Sequence, residues 1–166
     1  MTTRGLLGLV ASACGGVESW FRKELAEPAV RRGWRLAITF TPAVVPWFEE
    51  AGELGELQAL TDLPIRWEPR MPSQPKPYPT PDAFLFAPAS ANSVAKLALG
   101  IGDNQALTAL NEGIGAENCK VVVLPQANAD KRRHPMWETH VTTLTNAGVV
   151  VVSEVAPGRL LDLLDT

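Results

Sequence analysis

Apolar positions along this chain fall into short unbroken runs separated by stretches with helical spacing. Leu6–Val10 is one such run, and it ends in the small residues Ala11, Ser12, Ala13, Cys14, Gly15 and Gly16. A strand buried on both faces loses polar alternation, and small residues after it permit a tight turn into a helix. Val17, Trp20, Phe21, Leu25 and Ala29 then repeat at helical spacing, which predicts a helix over Val17–Arg31 that Pro28 ends or bends and Gly33 closes. Arg35–Thr41 reads as a second strand, followed at Thr41-Pro42 by a segment of mixed helical character, Ala43–Leu60. Further strands are predicted at Ala83–Ala87, Lys120–Leu124 and Val149–Val152, with helices at Ser93–Leu99 and Gln105–Gly113.

Strands alternating with helices imply a parallel sheet covered on both faces. The expected fold is therefore α/β, a three-layer Rossmann-like or flavodoxin-like sheet with helices on both faces, in a single domain spanning residues 1–166. Such sheets bind ligands beyond the carboxyl ends of their strands. Between Pro64 and Pro81 seven prolines exclude a regular helix or a central strand, leaving an extended loop. Long loops in compact domains are often functional, and this one is expected to be mobile and to lie over the ligand cleft.

Composition narrows the function. With 46% apolar residues a sizeable core is affordable, and a net charge of -3 without long runs of one sign offers no field for nucleic acid or an anionic membrane. No run approaches the ~20 apolar residues that cross a bilayer. Cys14 and Cys119 lie far apart without ligand spacing, so neither a zinc site nor a disulfide framework is expected, and a reducing cytoplasm suits them.

Candidate chemistry concentrates in Ala87–Asn104, where Pro88-Ala89-Ser90-Ala91-Asn92 follows a strand and opens a helix. Free backbone N–H groups there can receive an anion or a polarised ring edge, while alanines let a flat ring approach the main chain. With Gly100-Ile101-Gly102-Asp103-Asn104 further on, this stretch resembles the P-A-S-A-N-T and G-I-A-D-N signatures of the homo-oligomeric flavin-containing cysteine decarboxylases, which include phosphopantothenoylcysteine decarboxylases and lantibiotic peptidyl-cysteine decarboxylases. Ser12 matches the serine of that family's G-S motif, with Ala11 replacing the glycine, and Thr41-Pro42-Ala43 matches its T-P-A turn. The resemblance implies FMN as cofactor, with Ser12, Thr41, Pro88, Ala89, Ser90, Ala91 and Asn92 as its contacts.

Departures from the family pattern bear on activity. Aligned on Asp82, the position of the family's histidine holds Gln74, which exchanges hydrogen bonds but takes no proton near neutral pH. In the family's carboxylate-binding motif Asn128 is kept, but Ala127, Lys131 and Arg132 replace two methionines and a tryptophan. Lys131, Arg132 and Arg133 offer a cationic cluster for an acidic ligand or an ordinary solvated surface. Ala156–Leu160 resembles the start of a C-terminal flap, without its cysteine. His134 and His140 are assigned surface or capping roles, since Pro135 disfavours one helix through both.

The resemblance implies oxidative decarboxylation of a cysteine-ending small molecule or peptide, a lyase activity of peptide modification, with Gln74 and Asn128 at the catalytic positions. It also implies a homo-oligomer, a trimer or dodecamer, with flavin at a subunit interface that some of Trp20, Trp47, Trp67 and Trp137 would cover. Alternatives are another FMN-dependent oxidoreductase, or a regulatory flavin-binding subunit that lacks the usual histidine.

Overall fold

The computed structural model describes residues 3–166. Five parallel strands, β1 (Gly5–Ala11), β2 (Trp34–Phe40), β3 (Ala83–Ala89), β4 (Lys120–Pro125) and β5 (Val150–Val151), form one sheet in the order β2-β1-β3-β4-β5. All seven residues of β3 are buried, as expected of a strand with a neighbour on each side and a layer on each face.

One face is covered by a continuous helical stretch made of α1 (Val17–Trp20), a π-helical segment (Phe21–Ala26) and α2 (Glu27–Arg31), together with α3 (Val45–Glu50) and α4 (Glu53–Gln58). Pro28 does not end this stretch. It sits where the π-helical segment hands over to α2, so the stretch continues with one backbone donor fewer. Phe40 and Phe48 stack here at 4.4 Å, and Phe21 meets both edge-on at 5.5 and 5.6 Å. The segment expected to begin a flap is a 3-10 helix, Pro157–Asp165, whose Leu160 and Leu161 are fully buried in this same layer.

The opposite face carries α5 (Ala91–Ala98), α6 (Gln105–Gly115) and α8 (Trp137–Asn146), with the short α7 (Ala129–Arg132) at its carboxyl end. Phe84 owes its place to two glycines. A Cβ on Gly8 would lie 2.3 Å from its ring and one on Gly113 would lie 2.6 Å from it, so the ring fills volume that neighbouring side chains would occupy.

The proline-rich segment is irregular, as its composition demands, but it is tied down. Phe40 N–H donates to Arg66 O at 2.8 Å and Arg66 N–H donates to Ile38 O at 3.1 Å, adding a parallel bridge outside β2. Farther on, Tyr78 packs against Leu6, Ala37 and Leu63 on the α6 side of the sheet. Because the bridge is parallel, residues just after Arg66 run past the carboxyl end of β2 before the chain returns towards β3.

Candidate functional site at the carboxyl ends of the strands

The chain leaves β1 towards β2 on one side and β3 towards β4 on the other, so the strand order reverses between β1 and β3. A crevice opens at the carboxyl end of a sheet where connections diverge in this way. Ser12 sits at its floor, 1% exposed. Its hydroxyl donates to Pro88 O at 2.9 Å and accepts from Ser90 N–H at 2.7 Å, while its own N–H reaches Pro88 O at 3.0 Å. Ser12 thus pins the β1 turn to the β3 turn, and its hydroxyl is engaged within the chain.

Pro88 and Ala89 are the buried last residues of β3, with a cis peptide bond between Ala87 and Pro88. Ser90 caps α5, its Oγ accepting from Ser93 N–H at 3.2 Å. Ala91 and Asn92 form the first turn, and the exposed Asn92 amide makes no hydrogen bond to the described residues. Across the crevice Thr41 directly follows β2, its N–H donating to Ala11 O at 3.0 Å. Its hydroxyl is buried and has no hydrogen-bond partner among the described residues. A buried hydroxyl without a partner carries a desolvation cost, which a bound donor or acceptor would relieve.

Two cavities flank these residues. One, about 440 Å³, lies between the β1 turn and α3, lined by Gly15, Gly16, Glu18, Trp47, Glu50 and Ala51. A carboxylate oxygen of Glu18 is buried there without a donor among the described residues. The other, about 500 Å³, lies between α5, α7 and α8, lined by Ser90, Asn92, Lys131, His134, Trp137 and His140 among others. Cys14 directly precedes Gly15 of the first cavity and is itself buried. Burial pushes its thiol pKa up, against the smaller opposing pulls of the Ser12 hydroxyl and the Lys131 charge.

Asn128 and Gln74 are both placed at the carboxyl end of the sheet, but far apart. Asn128 caps α7, its Oδ1 accepting from Lys131 N–H at 3.0 Å, which leaves its amide nitrogen free to donate. Gln74 lies beyond the β2 edge in a tight turn, where its Oε1 accepts from Met71 N–H at 2.8 Å and its carbonyl accepts from Arg70 at 2.8 Å. It lines a different cavity with Trp67 and Arg70. Three strand spacings of about 4.8 Å each separate β2 from β4, so one protomer does not bring Gln74 and Asn128 together.

The cationic run is divided as well. Arg133 pairs with Asp130, Arg132 donates to Ala127 O at 2.9 Å and faces a separate hollow, and Lys131 alone of the three lines the α5–α8 cavity. Both histidines line that cavity too, a grouping the sequence did not reveal, because α8 starts only at Trp137 and carries His140 without His134.

Comparison with known proteins places this geometry. Across 97% of the chain and 95% of its own length, the fold is similar to FMN-dependent cysteine decarboxylase TvaF from thioviridamide biosynthesis, with 21% identity and a TM-score of 0.73. HAL3 from Cryptococcus neoformans gives 16% identity and a TM-score of 0.70 over 96% of this chain and 94% of that one. The peptidyl-cysteine decarboxylase EpiD gives 21% and 0.65 over 89% and 80%. A curated cysteine/cysteine sulfinic acid decarboxylase from an unknown prokaryotic organism is 34% identical over 67 residues, 40% of this chain and 18% of that protein, so the match spans under a fifth of the relative's length. The model of the Flavoprotein family matches residues 40–164, which take in the Thr41 turn, the Ser90 cap and Asn128, and the chain belongs to that family.

Proposed function

We propose that this chain binds FMN at the β1–β3 crevice and removes the carboxylate from a cysteine-ending substrate, a peptide or a pantothenoylcysteine-like molecule. The observation that carries the reading is Thr41. Its buried hydroxyl, without a partner among the described residues, stands beside a serine-pinned turn and a capped helix start, in the crevice where this strand order receives a ligand. The family match and the cysteine decarboxylases among the structural neighbours support the same assignment.

The residues present suit the cofactor. Thr41 would give its hydroxyl to a polar atom, and no atom lies within 4 Å of a Cβ built on Gly15 or Gly16, so a ligand has room at the main chain. The stranded Glu18 oxygen calls for a hydroxyl donor, such as a ribityl chain carries. Asn92 would present its amide at the start of α5. Bound FMN supplies a two-electron acceptor that takes the cysteine side chain to the thioaldehyde level, from which carbon dioxide leaves. The chain's own part is to hold the carboxylate, with Asn128 and Lys131 as donors, and to manage the thiol proton.

Purified protein incubated with FMN and gel-filtered should keep a flavin spectrum and release carbon dioxide from N-acetylcysteine. A colourless protein after FMN addition overturns the cofactor assignment. A yellow but inactive one favours a second reading, a flavin-binding subunit without catalysis, to which the placement of Gln74 in a separate cavity points. Exposed Leu99, Ile101 and Met136, 65%, 40% and 43% accessible around the α5–α8 side, support association with further copies as a trimer or dodecamer. Sedimentation equilibrium reads the copy number. Both cysteines are free, which accords with a cytoplasmic location.

A further inference from the structure

We infer that His140 is the proton acceptor for the substrate thiol in the cavity between α5 and α8, the role Gln74 cannot fill. The inference rests on the reading above and deepens it. This chain has two histidines, and both line the cavity that holds Ser90 and Asn92. Gln74 lines another and is held by its own turn.

Their hydrogen bonds separate the two rings. His134 Nδ1 accepts from Met136 N–H at 3.1 Å, so its neutral ring carries its proton on Nε2 and has no free lone pair to offer. His140 makes no ring hydrogen bond to the described residues, and either nitrogen of its neutral ring can be the acceptor. Helical spacing fixes where it points. Buried Trp137 is three residues before it and buried Leu144 four after, which sets His140 on the inward side of α8, half-buried. The thiol S–H bond would break, a new N–H bond would form on His140, and the electron pair would stay on sulfur as thiolate. His140 must be neutral to do this, so activity falls on the acid side. The charged and titratable groups that line the cavity with it are Lys131 and Asp130 from α7, Asp130 being paired with Arg133, and His134.

The test compares wild type with His140→Gln and His140→Asn, each checked for flavin content, in carbon dioxide release from N-acetylcysteine across pH. It also follows the His140 Cε1–H resonance of flavin-free wild type with and without N-acetylcysteine. Expected are a loss of roughly 10²-fold or more in kcat/KM, disappearance of the acid limb, partial rescue by added imidazole, and a ligand-induced shift of the His140 titration. Carbon dioxide release with the acid limb intact in both variants overturns the His140 assignment and leaves the decarboxylase reading standing. No release by wild type while the His140 titration still shifts overturns decarboxylation and supports His140 as acceptor for a thiol in another reaction. An unshifted titration overturns the assignment whatever the activity.

Discussion

Thr41 and Asn92 set opposite demands on the free protein. An unpartnered buried hydroxyl costs about 1–3 kcal/mol, so Thr41→Val should raise the melting temperature of the flavin-free protein while lowering flavin retention after gel filtration. Equal retention with wild type would remove Thr41 from the site. Asn92→Asp should also lose flavin, because a carboxylate offers no amide donor and repels an anionic ligand. At this scale the sequence was informative where chemistry follows the main chain. Ser12, Thr41 and Ser90 each stand at a strand end, as their small-residue surroundings implied. It was uninformative about side chains that meet through space. Nothing in the spacing of His134 and His140 shows that a cavity gathers them with Asn92, nor that Gln74 folds back on Met71.

Among elements, the capped start of α5 is the one the crevice depends on. Ser90→Ala removes the acceptor for Ser93 N–H and the hydroxyl contact with Ser93, while the Ser90 N–H bond to Ser12 stays, and should cost about 1 kcal/mol in chemical denaturation. Gly8→Ala should cost about 1–3 kcal/mol, because the added methyl meets the Phe84 ring and not open space. A loss no larger than that of an exposed-site control would refute the packing argument. The strands and the helices as far as α6 were legible to within a few residues, since apolar runs and helical periods survive in the fold, whereas α8, Trp137–Asn146, was not read as a helix. The role of Pro28 was not legible either, because a proline that a helical stretch carries through and one that terminates a helix look alike until the preceding π-helical turn is seen. The 3-10 segment at Pro157–Asp165 also escaped, as a buried Leu160-Leu161 pair gives too little periodicity to show which face it covers.

Considered whole, the molecule should lose stability in alkali. Burial pushes the Cys14 thiol up, and burial followed by the Asp82 charge does the same to Cys119. Unfolded thiols release their protons first, near pH 9.0, while the folded ones hold them longer. The stabilising contribution is therefore complete below that pH and is lost as pH rises through the folded values. Melting temperatures measured from pH 8 to 10.5 should fall, and the fall should shrink in Cys14→Ala. FMN at a hundred times its dissociation constant adds about 2.7 kcal/mol, a rise of roughly 5–11 °C for a chain of this size. No rise would count against specific binding.

The Arg66 bridge beside β2 has a consequence for how copies of this chain can meet. Exposed strand edges are templates on which foreign strands add, and aggregation by that route needs a long, flat, unpaired border. Here Arg66 takes up the β2 border at Ile38 and Phe40, with prolines on both sides of it, the Thr61 hydroxyl takes Leu36 O, and the β5 border is two residues long. Neither margin offers a ladder for recruitment. Any contact between copies is then directed towards helices and turns, where shape and side-chain chemistry select the neighbour, and growth into ribbons of continuous sheet is disfavoured at either margin.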